Sequence, residues 1–320
     1  MILIISNKYD LSVDYIIEIL RKHNDSFLRL NTEDIVNFRF KAEFPEGKLQ
    51  IISPDGRKIQ GKSIKSIWFR RPGKPFENED LPSPTKEFIY NQWHSFILGL
   101  TTIEGIKWIN NPFANYRAES KMLQLKIARD CSFRIPQTLI TSDKKELETF
   151  FKWRGEKAVV KALDAPLIEE EEKSYFIFSN VLEDISSIEE SEVSITPFIV
   201  QELIEPKTDV RVTVVEHKTL AAKVSLKGCA SSMLDWRACK DINLVKFEPF
   251  ELPEKIANLC VRLVKKLGLR FAAIDLVQRG DDFYFLEINP NGEWGWLQKR
   301  AGLPIAKEIA RALCEPMGRK

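Results

Sequence analysis

The chain has 320 residues, in which 48 Lys and Arg stand against 46 Asp and Glu, for a formal net charge of +2. This length corresponds to about two domains, or three small ones packed together, and the near-neutral charge argues against a uniformly basic surface that binds nucleic acid. The 44% share of hydrophobic residues is that of a globular enzyme and excludes a fibre or a disordered regulator. No apolar run reaches the roughly 18 residues of a membrane helix, so we expect neither a nucleic-acid nor a membrane partner.

The five cysteines are odd in number, are scattered along the chain and form no CxxC pair. The three histidines, His23, His94 and His217, are also far apart in the sequence. A zinc site or a disulfide framework is therefore not expected, and each cysteine is interpreted as a small packed hydrophobe. The start of the chain lacks the pattern of a signal peptide, and the expected compartment is the reducing cytoplasm.

Up to about residue 112 the chain alternates strands and helices, which predicts an α/β domain. A first strand at Met1–Ser6 is followed by Ser12 as a helix N-cap. Another strand at Ile64–Phe69 ends in Arg70-Arg71-Pro72, and Ser83-Pro84 opens a long helix. The first domain is therefore expected to span residues 1–112.

One motif in this stretch matches a phosphate-binding loop letter for letter but lacks its context. Residues Gly56–Ser63 fit the pattern GxxxxGK[ST]. That motif binds phosphate through the N–H groups at the start of a helix, which must follow the loop directly. Here Gly56 belongs to the turn of a hairpin between strands at Lys48–Ser53 and Arg57–Gln60, and Ser63 leads into a strand. We therefore reject the motif as a coincidence.

Residues 113–197 and 198–320 form the expected second and third domains. The second begins with a helix at Tyr116–Cys131 and continues with strands at Phe133–Ile140, Lys157–Leu163 and Ser174–Ser179. The third is rich in strands, which are expected at Phe198–Ile204, Asp209–Glu216, Thr219–Lys227, Phe271–Gln278 and Phe283–Pro290. Helices at Glu254–Leu267, which stops at Gly268, and at about Ile305–Leu313 complete it.

The final hairpin carries the strongest chemical signal of the sequence. Asp275 lies on its first strand, and Glu287 and Asn289 share one face of its second because side chains alternate along a strand. A three-residue loop at Gly280–Asp282 would set Asp275 opposite Glu287 and Ala273 opposite Asn289. Two carboxylates and an amide oxygen that face the same way repel unless a cation neutralises them. Hard oxygen ligands of this kind suit Mg²⁺.

The same register sorts the other side chains of this hairpin. Ile274 and Leu276 are expected to join Tyr284, Leu286 and Ile288 on the apolar face. Phe283 and Phe285 are expected to share the face of the carboxylates. A fully solvated face is the alternative to a metal site, and these two aromatic side chains argue against it.

Several cations precede the hairpin and could serve nucleotide phosphates. Lys161 ends the apolar strand Lys157–Lys161, Lys121 lies early in a helix, and Arg211 and Arg237 follow later. Taken singly, each is more often a surface charge or a salt-bridge partner than a ligand. Their order along the chain changes that interpretation.

The sequence resembles an ATP-grasp enzyme from about Asn115 to the C-terminus, with an α/β domain typical of that family in front. Lys121, at the end of Asn115–Lys121, matches the first nucleotide lysine of the family, and Lys161 matches the second. Between them, Arg134–Thr138 resembles the P-x-T strand. Val200–Ile204 resembles the linker between the two grasping subdomains. The implied architecture is an α/β (α+β) ATP-grasp fold with an N-terminal pre-grasp domain, a central subdomain and a C-terminal antiparallel-sheet subdomain.

The resemblance also implies a role for each matching residue, with ATP and Mg²⁺ as the cofactors. The phosphates would meet Lys121, Lys161 and Arg237, of which Lys161 and Arg237 are the implied catalytic residues. The adenine edge would pair with the backbone of Glu202, Leu203 and Ile204, and the ribose would lie near Asp209. Asp275, Glu287 and Asn289 match the metal triad.

Within this family, the chain more closely resembles the graspetide synthetases, the microviridin-type ligases that cyclise ribosomally made peptides. The residues that carry this likeness are Trp68–Pro72, Asp209–Val215, Leu234–Arg237 and Glu287–Trp296. In one respect the chain departs from the pattern. Many ATP-grasp enzymes fold a glycine-rich loop over the phosphates, but residues 162–173 contain no glycine.

The implied activity is ATP-dependent macrocyclisation of a precursor peptide that consists of a leader and an acidic core. The leader would dock around Tyr175–Ile188, with Glu183 and Asp184 as candidate contacts, although a solvated helix explains these two residues equally well. Arg70 and Arg71 could bind the acidic core or could close the first domain onto the second. Related ligases are often dimers, so a homodimer is compatible with the resemblance. The alternatives are a carboxylate–amine ligase that adds an amino acid and a nucleotide-binding module without turnover.

Overall fold

The structure is a computed structural model. It describes residues 1–75, 80–154, 157–164, 167–170, 173–226, 236, 239 and 241–316. None of the helices in these ranges has the length and apolarity that a membrane span requires.

The first domain contains the expected α/β unit. A parallel sheet in the order β2-β1-β6-β7 is built from β1 (Ile2–Ser6), β2 (Phe27–Asn31), β6 (Ser66–Phe69) and β7 (Lys107–Ile109). Its helices are α1 (Leu11–Lys22) and α2 (Ser83–Gly99). Asp10 and not Ser12 is the N-cap of α1, because its carboxylate accepts the Ser12 N–H.

A second, antiparallel sheet in the first domain confirms that the phosphate-loop match is a coincidence. It consists of β3 (Arg39–Glu43), β4 (Lys48–Ile52) and β5 (Lys58–Gln60). Gly56 lies in the β4–β5 turn with φ of 83°, a conformation that glycine adopts without strain. Only one 3₁₀ turn, Gly61–Ser63, separates β5 from β6, so no helix begins after the loop.

The central subdomain is built on an antiparallel sheet in the order β12-β9-β13-β8. Its elements are α3 (Pro112–Glu119), α4 (Lys121–Asp130), β8 (Thr138–Thr141), α5 (Lys144–Arg154), β9 (Ala158–Lys161), β10 (Leu167–Glu170), β11 (Lys173–Phe176), β12 (Asn180–Leu182), α6 (Glu190–Val193) and β13 (Phe198–Glu202). The helix expected at Tyr116–Cys131 is thus two helices that break at Ser120. Because β13 belongs to this sheet, the passage to the next sheet lies at residues 203–207 and not at residue 197.

The C-terminal subdomain is a five-stranded antiparallel sheet in the order β16-β15-β14-β17-β18. Its elements are β14 (Thr208–Val215), β15 (Lys218–Leu226), β16 (Val245–Phe250), α7 (Glu254–Lys266), β17 (Phe271–Arg279), β18 (Asp282–Asn289), α8 (Gly295–Ala301) and α9 (Ile305–Cys314). This arrangement confirms the expected antiparallel-sheet subdomain.

The β17–β18 hairpin has the expected pairing at its functional end but reaches it in a different way. Asp275 lies opposite Glu287, and Ala273 lies opposite Asn289. The turn has two residues, Gly280 and Asp281, and a bulge at Leu286 restores the register. A two-residue turn followed by one extra residue therefore gives the same pairing as a three-residue turn.

The bulge also changes which side chains share a face. Phe283 and Phe285 are buried in the core with Leu276, so the expectation that they flank the carboxylates is wrong. Tyr284 and Leu286 instead pack with Ile204 and Val277, in a small cluster separate from that core. Tyr284 and Leu286 therefore pack against Ile204, which lies in the segment that follows β13.

The first domain and the C-terminal subdomain share one hydrophobic core. Helix α1 packs against α9, and Ile16 and Trp68 belong to the same buried cluster as Val215, Trp294 and Ile309. The two parts are therefore held together by apolar burial as well as by polar contacts.

Candidate nucleotide and metal site

The two carboxylates of the predicted metal triad lie opposite each other on β17 and on β18, the edge strand of the C-terminal sheet. The Asp275 and Glu287 side chains are 29% and 33% exposed, so both are partly buried and still open to a ligand. Asn289 is exposed at the end of β18, where its Oδ1 accepts the Asn291 N–H at 2.9 Å. The register brings the three residues together as the sequence predicts.

Each carboxylate is held by a cation. Arg211, directly opposite Asp275 on β14, places its Nη1 2.7 Å from both Asp275 oxygens. Lys121 Nζ, at the start of α4, lies 2.6 Å from Glu287 Oε2. Two positive side chains thus balance a pair of acids that would otherwise repel each other.

This donor set fits a Mg²⁺ ion. Two carboxylates and an amide oxygen are hard ligands, and their net charge of about −2 suits a divalent cation that retains waters and binds phosphate oxygens. The two cations that now balance the acids show that the site favours positive charge. No group of three or more His, Cys, Asp or Glu side chains in the described part of the chain could hold a metal, so this set depends on the Asn289 amide oxygen for its third ligand.

Lys161 lies on β9 beside these charges. Its Nζ donates to Gln201 Oε1 at 2.8 Å, and Gln201 Nε2 in turn donates to Thr138 Oγ1 at 2.9 Å. Burial lowers the pKa of Lys161, and the nearby charges of Lys121 and Lys207 lower it as well, whereas the carboxylates of Glu287 and Asp275 oppose this shift. A lysine crowded by two other lysines is stabilised by an anion, which is the property that a phosphate site needs.

The linker after β13 forms an apolar wall next to the charged groups. Glu202 makes two hydrogen bonds to Gln137, the residue before β8: its N–H donates to Gln137 O at 2.8 Å, and its carboxylate accepts the Gln137 N–H at 3.1 Å. Leu203 is half-buried, and Ile204 is buried against Tyr284 and its neighbours. An apolar surface of this kind suits a flat heterocyclic base.

Asp209 lies at the start of β14 and is 23% exposed. Both of its carboxylate oxygens accept from Lys207 Nζ, at 2.6 and 2.7 Å. Arg237 lies outside the described residues. Its neighbour Trp236 is described and packs against Trp296 and Phe247, with ring centroids at 5.1 and 5.3 Å.

Arg70 is buried, with 1% of its side chain exposed. Its Nε and Nη2 bind carboxylates of Asp10 and Glu293, each at 3.0 Å. Its Nη1 donates to the carbonyl oxygens of Asn291 and Gly292, both at 2.9 Å. This packing joins the first domain to the C-terminal subdomain and not to the second domain as the alternative had it, and it keeps Arg70 away from a peptide.

Arg71 differs from its neighbour in exposure. It is 46% exposed and binds Glu293 Oε2 at 2.6 Å. Glu293 also accepts from Ser12 and lies just before α8. Burial by itself raises the pKa of Glu293, but Arg70, Ser12 and Arg71 together hold the pKa below its ordinary value.

Glu183 and Asp184 lie after β12, at the edge of the central sheet. Glu183 is exposed and pairs with Lys157 at 2.7 Å. Asp184 accepts both the N–H and the hydroxyl of Ser186, at 2.8 and 2.9 Å, and these bonds lower its pKa. The structure does not bring these two residues to the Lys121–Glu287 pair, and they form a separate acidic edge.

The sequence interpretation named Arg211 only as a possible phosphate cation and gave no role to Gln201 and Lys207. Arg211 pairs with Asp275, Gln201 holds Lys161, and Lys207 holds Asp209. Strand alternation could have found Arg211, because it lies two residues after Asp209 on a strand next to the hairpin. The position of Gln201 depends on which strands pair, for which the sequence carries no local signal.

Comparison with known proteins identifies the family and the fold of the chain. The family model of the RimK-like ATP-grasp domain matches residues 118–313. A RiPP-associated ATP-grasp ligase of Chryseobacterium gregarium, solved in complex with ADP and a leader and core peptide, has a TM-score of 0.87 and 27% identity. That match covers 99% of this chain and 97% of the other.

Two further proteins are similar. The macrocyclase MdnC of Microcystis aeruginosa MRC, bound with precursor peptide MdnA, shares the fold at a TM-score of 0.82, with 22% identity and 98% of each chain covered. The tetrahydromethanopterin:alpha-L-glutamate ligase of Methanocaldococcus jannaschii is 28% identical over 126 residues, which are 37% of this chain and 40% of that protein. The chain thus matches less than half the length of this curated relative. Because the family model covers more than half of the chain, and the fold agrees with it, the protein belongs to the RimK-like ATP-grasp family of ligases.

Proposed function

We propose that the protein is an ATP-dependent macrocyclase of a ribosomally made precursor peptide. The observation that carries this proposal is the likeness to a RiPP-associated ligase over 99% of the chain, which includes the first domain as well as the ATP-grasp part. A likeness confined to the nucleotide site would favour any ligase of the family. The fold alone does not fix the substrate, so the proposal is tested on a peptide.

The nucleotide would lie between the two sheets. Lys121, Lys161 and Arg237 would meet its phosphates, the backbone at Glu202–Ile204 its adenine, and Asp209 its ribose. Asp275, Glu287 and Asn289 would hold Mg²⁺, which when bound neutralises phosphate charge and orients the phosphoryl group. Lys121 and Arg211, which balance the carboxylates here, become free to bind phosphate when a cation replaces them.

The proposed reaction has two steps. A carboxylate of an Asp or Glu side chain in the peptide attacks the γ-phosphorus of ATP, and ADP leaves. A Thr or Ser hydroxyl, or a Lys amine, of the same peptide then attacks the acyl phosphate and phosphate leaves, which closes an ester or amide ring. Lys161 and Arg237 stabilise charge on the phosphoryl group, and orientation of two groups on one peptide supplies a large effective molarity.

The peptide would meet the protein at two places. The acidic edge at Glu183 and Asp184 would contact the leader, on the side of the central sheet away from the Arg70 tether. Arg71, which is 46% exposed and binds Glu293 through Nη1, would bind a carboxylate of the acidic core.

A second candidate is a carboxylate–amine ligase that joins an amino acid to a peptide or protein. The similarity to a glutamate ligase over 126 residues favours it, since the same nucleotide site would serve both reactions. The two candidates differ in their product, because a ring loses water and a ligated peptide gains the mass of the added residue.

The test is intact mass spectrometry of the small peptide encoded beside the gene, co-expressed with wild-type protein and with Glu287→Gln. Loss of one or more waters with wild type only is the expected result. A gain in mass would move the assignment to the amino-acid ligase, and an unchanged peptide would overturn both. The exposed Glu104→Gln serves as a matched control that keeps full activity.

A further inference from the structure

A third carboxylate lies beside the nucleotide site and has no part in the scheme above. Glu119 is the last residue of α3, and the chain leaves helical geometry at Ser120, with φ of −63° and ψ of 110°, before α4 begins at Lys121. This break turns Lys121 toward Glu287 and leaves Glu119 exposed on the same side of the molecule. A peptide that reaches Lys121 therefore also reaches Glu119.

A chain of amide side chains fixes the position of this carboxylate. Asn291 hydrogen-bonds the Glu119 carboxylate, and its Oδ1 accepts from Asn115 Nδ2 at 3.2 Å. Asn115 Oδ1 accepts from the buried Asn110 at 2.9 Å, and Asn110 also donates to Pro290 O at 3.1 Å. The Glu119 carboxylate is thus connected by hydrogen bonds to Pro290 and Asn291, which directly follow Asn289 of the candidate metal site. These bonds fix the distance between Glu119 and Asn289.

The charges around Glu119 suit a proton acceptor. Partial burial of the carboxyl group, on a residue that is exposed as a whole, raises its pKa, and Asp164, which follows β9 by three residues, raises it further. Lys121 from α4 and the hydrogen bond from Asn291 oppose this effect, and Tyr116 is the titratable neighbour on its own helix. A carboxylate that binds a proton more readily than usual is a better general base near neutral pH.

The second step of the proposed reaction needs such a group. A hydroxyl or an ammonium must lose a proton to attack the acyl phosphate. Apart from the exposed Asp164, the other described side chains named around the site are cations, namely Lys121, Lys161, Lys207 and Arg211, or are the carboxylates that they hold. Glu119 is exposed to an incoming peptide and is held by neutral amides.

We propose that Glu119 is the general base that accepts the proton of the peptide nucleophile, an inference that rests on the proposed macrocyclase function. The nucleophile's oxygen or nitrogen forms the new bond to the acyl carbon. The bond between that carbon and the phosphate oxygen breaks with its electron pair on the leaving phosphate. The proton passes to a Glu119 oxygen and then to water, which returns the carboxylate to its starting state.

The test separates the two steps of the reaction in wild type, Glu119→Gln and Glu119→Asp. The peptide encoded beside the gene is incubated with each protein, ATP and Mg²⁺, and hydroxylamine captures the acyl phosphate as a hydroxamate. We expect the Gln variant to form hydroxamate at the wild-type rate and to lose ring closure by about 10²- to 10³-fold. The Asp variant keeps a carboxylate and should recover part of this loss.

The pH profile gives a readout that a structural role would not produce. In wild type, ring closure falls at low pH as Glu119 is protonated, and this limb should vanish in the Gln variant. Ring closure within about threefold of wild type, or an equal loss of hydroxamate and ring, overturns the assignment. A wild-type protein that removes no water from the peptide overturns the proposed function instead, and this inference with it. If the Glu119→Gln variant does not fold, the rate of ring closure by Glu119→Asp and the pH profile of wild type test the assignment instead.

Discussion

Lys121 Nζ lies 2.6 Å from Glu287 Oε2, so a lysine that would bind phosphate and a carboxylate that would bind metal are paired with each other. Arg211 and Asp275 form a second pair of the same kind. In both pairs, the basic side chain is expected to bind an anion and the carboxylate is expected to bind a cation. Under the proposed function, binding of a nucleotide with its metal would therefore be an exchange of partners, in which no charge is left unbalanced at either end.

Lys121→Met should weaken nucleotide binding. The substitution removes a charge-assisted contact worth about 1.5–3 kcal/mol, which corresponds to roughly a 10- to 100-fold loss of affinity for ADP with Mg²⁺. Calorimetric titration measures this loss directly. Lys126→Met, on the same helix and 62% exposed, is the matched control and should bind as wild type does. Equal affinity in the two variants would remove Lys121 from the nucleotide site.

The hairpin shows what local sequence can and cannot predict. Alternation along β17 and β18 correctly predicted the Asp275–Glu287 pair, because polar and apolar positions leave little freedom in the register near that end. The same reasoning missed the bulge at Leu286, since a two-residue turn with a bulge and a three-residue turn satisfy the same pattern there. The error therefore affected only the side chains between the turn and the bulge, such as Phe285.

Contacts between segments that are far apart in the sequence are not predicted by the alternation of side chains along a strand. The burial of Arg70 depends on how the first domain packs on residues 291–293, and no spacing in the sequence records that packing. For this reason the adjacent arginines, which look alike in the sequence, differ from 1% to 46% in exposure. The order of motifs along the chain could identify the family, whereas the contacts of Arg70 with residues 291–293 could be found only in the three-dimensional structure.

Arg70→Met should destabilise the protein. It leaves the buried Asp10 carboxylate and the partly buried Glu293 without their shared partner, and loss of one member of such a buried group costs about 3–5 kcal/mol. Urea unfolding gives the free-energy difference. Arg71→Met, one residue away and half-exposed, should change the stability by less than about 1 kcal/mol. Similar losses in the two variants would contradict the proposed difference between the two arginines.

Gly292→Ala should disturb the segment after the metal asparagine. A Cβ at this position would lie 2.2 Å from the Ala273 Cβ and 3.1 Å from Arg211 Nη2, so the chain must move away from β17 and β14. We expect weaker binding of Mg²⁺ and ADP and a lower melting temperature. In Gly99→Ala, where nothing lies within 4 Å of the new Cβ, both should stay as in wild type. Unchanged ADP binding in Gly292→Ala would show that the segment tolerates the shift.

Reversal of charge at the acidic edge should affect peptide binding alone. Glu183→Lys combined with Asp184→Lys places two positive charges on an exposed surface that the structure keeps apart from the Lys121–Glu287 pair. We expect at least about a tenfold weaker affinity for the peptide encoded beside the gene, measured by fluorescence anisotropy, with ADP binding as in wild type. Glu190→Lys, on the nearby short helix α6, tests whether any added charge has this effect. If the double variant binds the peptide normally, the leader docks elsewhere.

Glu293 should make the folded protein less stable as the pH falls. Because its pKa is below the ordinary value in the folded protein, the unfolded chain takes up this proton first as the pH falls, near pH 4.3. The stabilisation is therefore complete above about that pH and is lost as the pH falls through the lower pKa of the folded state. Glu293→Gln should be less stable than wild type at pH 7, and the difference in urea unfolding free energy should shrink toward pH 3. The exposed Glu104→Gln should show no such trend. A difference that stays constant over this range would mean that the Glu293 charge does not stabilise the contact between the domains.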